Sequence, residues 1–217
     1  MKAMILAAGR GERLRPITDT LPKPLVAVNG KPLIEYHLEK LAAIGIKQVI
    51  INHAWLGHLL PETLGNGERW GLSIQYSAET EALETAGGIK QALSLLGTEP
   101  FLLLNGDIFI DELPDIAQAL RILYQQQADA YIWFVENPAH HPQGDFSLDA
   151  NSHHTHFETD SASLVKLEGE LKFTYSGMGI YHPQMFAGLA EGSQPLGPLL
   201  RQSIAQEQIY GHCFSQY

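Results

Sequence analysis

Arg10, Arg13, Arg15 and Lys23 crowd into LAAGRGERLRPITDTLPKP, residues 6–24, of a chain with only 14 Lys and Arg and a formal net charge of -10. Gly9 and Gly11 open this segment directly after a short apolar run. Glycines let backbone N–H groups approach an anion closely. Arg13 and Lys23 can add charge-assisted contacts to phosphate oxygens. The spacing is not G-x-G-x-x-G, because Leu14 stands where the third glycine belongs, and it is not G-x-x-x-x-G-K-[ST]. A turn with solvated arginines would have the same composition. A second feature lies further along. Asp107 ends the apolar run FLLLNGD, which places its carboxylate at a strand end. Such a carboxylate suits Mg²⁺, a hard ion that prefers oxygen ligands and substrate phosphates, although an Asx turn is the plainer role. The two features together predict a site for a triphosphate and a metal ion.

The elements around these residues alternate. MILAA, KQVIINH, LSIQYSAE, FLLLNGD and ADAYIWFVEN read as strands. PLIEYHLEKLAAIG reads as a helix with Ile34, Leu38, Leu41 and Ala42 on one face, Pro32 near its start and Gly45 at its C-terminal cap. The stretch from Leu56 to Leu64, GGIKQALSLLG and DELPDIAQALRILYQQQ supply further helices. This order predicts an α/β fold, a doubly wound, mostly parallel, Rossmann-like sheet with helices on both faces. Ligands in such sheets bind beyond the carboxyl ends of the strands, so the loops after MILAA and FLLLNGD should share one rim. Beyond Pro138 the texture becomes polar. Residues 139–170 suggest hairpins or a mobile flap, LKFTYSGMGIYHP a strand and PLLRQSIAQEQ a helix.

Composition limits the remaining classes. Hydrophobic content of 45% and charged content of 18% fit a globular chain of one domain, residues 1–217. The acidic balance argues against nucleic acid or an acidic membrane as partner. No apolar segment approaches the ~18 residues of a membrane span, and the N-terminal run is too short for a signal core. These features predict a soluble, cytoplasmic protein. The lone Cys213 excludes an internal disulfide framework and reads as a packed or surface residue. His140, His141, His153, His154 and His156 lack the spacing of a zinc site and read as a solvated loop. Trp55, Trp70 and Trp133 read as core or rim packing.

LAAGRGERLRPITDTLPKPLVAVNGKPLIEY, with ETAGGIKQA and LLLNGD, resembles the signature of the sugar-1-phosphate nucleotidyltransferases across at least residues 1–137. Within that family, NHAWLG, LETAGG and ENPAHHPQGDF look most like the uridylyltransferases that act on N-acetylmuramate 1-phosphate in peptidoglycan recycling. The resemblance implies a nucleotide-binding core over 1–137 and a small β-rich sugar-binding extension over 138–217. It implies Mg²⁺-dependent joining of UTP to the sugar phosphate with release of pyrophosphate. Arg13, Lys23 and Asp107 match the catalytic positions, Asp107 as the metal ligand. Ala8, Gly9, Gly11, Glu79, Gly87, Gly88 and Asn105 fall at nucleotide-binding positions. Asn137, Gly144, Asp145 and Gly177 fall at sugar-binding positions. The V-E-K-P run of many relatives is not evident, which leaves Lys166 as a candidate for its lysine. The W-x-D-x-G-T segment with a second metal aspartate is expected after IYGHCFSQY, beyond Tyr217. On that ground the chain is expected to be C-terminally truncated, to expose apolar surface and to be open to homo-oligomer formation. Two alternatives stay open: a mannose- or glucose-1-phosphate guanylyl- or thymidylyltransferase, and a low-activity nucleotide-binding protein.

Overall fold

The computed structural model describes residues 1–149 and 162–214. Strand β1 (Ala3–Leu6) leads into the basic loop, the two-residue strands β2 (Ala27–Val28) and β3 (Lys31–Pro32), and helix α1 (Leu33–Ala43). Then come β4 (Gln48–His53), α2 (Leu59–Leu64), β5 (Ser73–Ala78), α3 (Glu84–Leu96), β6 (Phe101–Asn105), α4 (Ile116–Gln126) and β7 (Ala130–Val135). The second part holds β8 (Phe146–Leu148), β9 (Ser163–Lys166), β10 (Lys172–Tyr181), α5 (Gln184–Ala187), α6 (Leu196–Ala205) and β11 (Ile209–Cys213).

One large sheet runs β5-β4-β1-β6-β10-β7-β11-β9-β8. Its first four strands are parallel, and β11 is parallel to β7. The sheet is mixed, because β10 enters antiparallel between β6 and β7. The polar region predicted as hairpins contributes β8 and β9, paired antiparallel on the far edge. His153, His154 and His156, with the rest of the expected flap at 150–161, lie outside the described residues.

Strands β1, β4, β6 and β7 are almost wholly buried, as parallel strands covered on both faces must be. On one face Ile5, Ile51, Leu102 and Leu104 meet Ile34, Leu38 and Leu41 of α1 and Ala119 and Leu123 of α4. On the other, Met4, Ile50, Phe101 and Leu103 meet Ile89, Ala92 and Leu96 of α3 and Leu200 and Ile204 of α6. Alternate strand residues thus feed opposite helical layers. Local chemistry sets the helix ends. Asp115 caps α4 by accepting from the Gln118 N–H at 2.8 Å, and Gly45 after α1 takes φ of 84°. Among the described residues no helix is long and apolar enough to cross a membrane.

The register lines up the functional rim. Leu6 is paired with Asn52 on one side and Asn105 on the other, so β1, β4 and β6 end at the same level. His53 is level with Ala78 one strand further out. Everything after Leu6, Asn52, Ala78 and Asn105 therefore opens on one edge of the sheet.

His37 of α1 lies under that edge. It is 2% exposed and hydrogen bonds to the backbone of Ile108, beside Asp107. Its Nε2 has no partner among the described residues. Burial pushes its pKa down from 6.5 to about 4. A depressed base favours the fold fully above its ordinary pKa, and that contribution is lost as pH falls from 6.5 towards 4. Each pH unit in the window costs at most about 1.4 kcal/mol. The melting temperature of the wild type should therefore drop between pH 7 and pH 4.5. His37→Gln should flatten that drop, as differential scanning calorimetry across the range would show.

Candidate active site

A cavity of about 690 Å³ sits on this rim, within the usual size of a ligand pocket. The β1 loop supplies Ala7, Ala8, Gly9, Arg10, Lys23 and Pro24. The end of β4 supplies Asn52, Ala54 and Trp55, and residues 79–85 supply the wall opposite the loop. Asn105 and Asp107 close it from β6. Apart from Asp107, which pairs with Lys23, the charges are segregated: Arg10 and Lys23 come from the β1 loop, while Glu79, Glu81 and Glu84 come from the segment between β5 and α3. A ligand with one anionic end and one end rich in N–H donors would find both complements here.

The basic loop is folded against itself and against β4. Gly11 takes φ of 67°, and a Cβ there would lie 2.9 Å from Thr18 Cγ2. The Thr18 hydroxyl donates to Gly11 O at 2.8 Å. Trp55 Nε1 donates to Thr18 O at 3.1 Å, and the Arg10 guanidinium stacks 4.4 Å over the Trp55 ring. These bonds hold Gly9–Lys23 beside the cavity in place of the solvated turn that composition alone would allow.

Asp107 is aimed by its own tripeptide. Gly106 N–H donates to Leu6 O at 2.9 Å, and a Cβ on Gly106 would lie 2.7 Å from that oxygen. Only glycine brings the chain this close to β1. Lys23 Nζ and Asp107 Oδ2 then form an ion pair at 2.7 Å. Both side chains stay partly open to solvent, at 24% and 41% exposure, so the pair is exchangeable and contributes little to stability.

A buried polar chain underlies the acidic wall. Ala7 N–H donates to Asn52 Oδ1 at 2.9 Å, Asn52 Nδ2 donates to Glu79 Oε1 at 2.7 Å, and Leu83 N–H donates to Glu79 Oε2 at 3.3 Å. Burial raises the Glu79 pKa, partly offset by the bonds from Asn52 and Leu83. A Cβ on Gly88 would lie 2.6 Å from Glu79 Oε1 and 2.8 Å from Asn52 Nδ2, so this glycine makes room for the pair.

The profile of the Nucleotidyl transferase family matches residues 2–155. The chain belongs to the nucleotidyl transferase family. It is 48% identical to an N-acetylmuramate alpha-1-phosphate uridylyltransferase from Neisseria meningitidis, over 97% of this chain and 88% of that one. It is 34% identical to the protein of the same name from Caulobacter vibrioides, over 96% and 86%. A mannose-1-phosphate guanyltransferase from Yarrowia lipolytica is 44% identical over 114 residues, 51% of this chain and 31% of its own. A solved structure from Bacillus anthracis, provisionally assigned as a glucose-1-phosphate thymidylyltransferase, superposes with a TM-score of 0.80 over all of this chain and 88% of that one. At 20% identity that likeness establishes the shared fold. The protein is thus a transferase with the fold its sequence predicts.

Within this nucleotidyl transferase the cavity gathers Ala8, Gly9, Lys23, Glu79, Asn105 and Asp107 of the sequence-predicted residues. Gly11 shapes the loop behind them. Arg13 is exposed in the same loop and is not among the lining residues. Gly87 faces away from the cavity, since a Cβ there would run into Gly192 O, and its N–H donates to Gln194 O at 3.1 Å. Gly177 sits at the irregularity of β10 with φ of 81°, where a Cβ would lie 2.5 Å from Asn105 Nδ2. It leaves space for the Asn105 side chain.

Asn137 and Asp145 spend their hydrogen bonds inside the β7–β10 connection. Asn137 Nδ2 donates to Lys172 O at 2.8 Å, and its Oδ1 accepts from Thr174 Oγ1 at 2.9 Å. Asp145 Oδ2 accepts from Tyr175 N–H at 2.9 Å, and its Oδ1 lies 3.1 Å from His141 Nε2. Gly144 fits over Asn137 with φ of 62°. Lys166 pairs with Glu207 at 2.6 Å on the surface and is not among the lining residues. Cys213 is half-buried, and burial pushes its thiol up to about 11, which keeps it an inert packed residue.

Sequence reasoning missed Arg10, Asn52 and Trp55 as cavity residues. One usable signal was present. KQVIINH and FLLLNGD both run from apolar residues into an asparagine, Asn52 and Asn105, and in a parallel sheet both strand ends fall on one rim.

Gly88→Ala is expected to leave the fold intact but displace the Asn52–Glu79 pair. Nucleotide affinity, measured by isothermal titration calorimetry, should fall by about 10-fold, the size of one lost hydrogen bond to a charged group.

Proposed function

We propose that the protein transfers a uridylyl group from UTP to N-acetylmuramate 1-phosphate and releases pyrophosphate. The observation that carries this reading is the 48% identity to a uridylyltransferase of that name, which runs through 97% of this chain and so spans both the cavity and the β7–β11 region. The guanyltransferase likeness covers only 51% of the chain and supports nucleotidyl chemistry in general.

In this reading the triphosphate lies along the β1 loop, with its phosphates near Lys23 and the base towards Glu79. An oxygen of the sugar phosphate attacks the α-phosphorus in line. A new P–O bond forms as the bond to the β-phosphate oxygen breaks, and pyrophosphate leaves with the electron pair. No protein nucleophile is required, so the chain contributes positioning and charge neutralisation. Lys23 shifts from Asp107 to the reacting phosphates, and Arg13 reaches in from the loop to the departing end. Gly9 and Ala8 bring main chain against the nucleotide. The acceptor sugar is placed towards Asn137, Gly144, Asp145 and Gly177.

Asp107 fits Mg²⁺ as a hard oxygen donor at the cavity edge. Among the described residues no group of three His, Cys, Asp or Glu side chains gathers as a metal site. That donor set suits an ion which takes one or two carboxylates and completes its shell with water and substrate phosphates. Bound there, the ion would supply neutralisation of phosphate charge.

A pyrophosphate-release assay over a panel of UTP, GTP, dTTP and CTP with N-acetylmuramate, mannose and glucose 1-phosphates tests the reading. Turnover should be highest with UTP and N-acetylmuramate 1-phosphate. Preference for another pair would replace the substrates, and no release from any pair would remove the activity. Lys23→Ala should lower kcat by roughly 100-fold or more, as expected for loss of a group that stabilises developing charge. Asp107→Asn should lower the rate and the apparent Mg²⁺ affinity together, read from a magnesium titration of the initial rate.

A further inference from the structure

We propose that Asn52 is a positioning residue that sets which nucleobases the cavity accepts, by fixing the Glu79 carboxylate as an acceptor facing a ring N–H. The proposal rests on the reading of this cavity as the nucleoside triphosphate site. It selects uracil, thymine and guanine over cytosine and adenine.

The orientation of the Asn52 side chain follows from chemistry. A backbone N–H can only donate, so the atom that meets Ala7 N at 2.9 Å is the amide oxygen. The amide nitrogen is then the atom 2.7 Å from Glu79 Oε1. Asn52 is 2% exposed and cannot turn over without stranding both bonds in a buried place. The second carboxylate oxygen accepts from Leu83 N–H at 3.3 Å. Both oxygens of Glu79 therefore act as acceptors, and their remaining lone pairs can only accept.

The same pair lines the cavity on the acidic side, away from the loop that carries Arg10 and Lys23. Uracil and thymine present N3–H and guanine presents N1–H to such a group. Cytosine N3 and adenine N1 are acceptors, and opposite a fixed carboxylate each would meet lone pairs with lone pairs. A site built to pair one hydrogen-bonding edge rejects the mismatched edge strongly, because polar groups are left unpaired. Asn52 makes this work in two ways. It supplies the donor that holds Oε1, and it ties that oxygen to the end of β1, next to Ala8 and Gly9. Without it Glu79 could rotate towards solvent and lose its direction. Gly88, which has no side chain to crowd the pair, permits the arrangement.

The test is equilibrium binding of UTP and CTP, each with Mg²⁺, followed by calorimetry. The variants are Asn52→Asp, Asn52→Ala and Glu79→Gln. Asn52→Asp keeps an oxygen for Ala7 N–H but removes the donor to Glu79. The wild type should bind UTP at least ~10-fold more tightly than CTP. Asn52→Asp and Asn52→Ala should bring the two affinities within ~3-fold of each other. Glu79→Gln, with the Ala7–Asn52 bond untouched, should erode the same ratio and reports even if an Asn52 variant does not fold. A purely structural role for Asn52 would weaken UTP and CTP by the same factor, and an unchanged ratio in the variants overturns the proposal. An absence of UTP binding to the wild type would instead overturn the cavity's assignment to nucleotide, and this inference with it.

Discussion

The parallel register of β1 with β4 and β6 is the constraint on which the site depends. Pairing Leu6 with both Asn52 and Asn105 brings three strand ends to one level. Apart from Lys23 and Pro24, which the β1 loop folds back, the groups that line the cavity lie at or just after those ends or in the segment that follows β5. A register slip of one residue would send each side chain to the opposite face of the sheet. The buried runs on both faces prevent such a slip, because the two helical layers accept different sets of alternate residues. The core therefore does more than hold the chain together: it indexes the loops.

On that frame the loops use two different means of being precise. The β1 loop is a series of short 3-10 turns fastened by side chains, Thr18 from within it and Trp55 from beyond β4. The Asn105-Gly106-Asp107 turn is fastened by closeness, since the glycine rests directly against Leu6 O. A third connection, from Asn137 to Asp145, is braced onto β10 by its own polar side chains. The mobility of each segment should differ accordingly, because bonds from side chain to backbone are lost more easily than a main-chain contact held by sheet register.

Much of this was legible in the residues. Short apolar strands, an amphipathic helix after GKP and the glycines at helix ends marked the alternating half of the chain. The basic loop stood out because Lys and Arg are sparse in this acidic chain, and Asp107 because it ends an apolar strand. The place of β10 was not legible, since local pattern does not say which strands become neighbours, and β10 enters antiparallel between β6 and β7. Asn137 and Asp145 were singled out by the family resemblance, and the fold spends much of their hydrogen-bonding capacity within the connection itself. Asn52 was overlooked for the converse reason. An asparagine at a strand end is ordinary until the tertiary structure buries it between Ala7 and Glu79.

The Lys23–Asp107 pair has a thermodynamic consequence. Each partner satisfies the other in this structure. A cation that takes Asp107 releases Lys23, and an anion that takes Lys23 releases Asp107. Either ligand thus removes part of the cost of admitting the other, and this linkage is reciprocal. A pair of this kind would admit a cation and a polyanion cooperatively, because an isolated ion of either sign meets a site that is already self-neutralised.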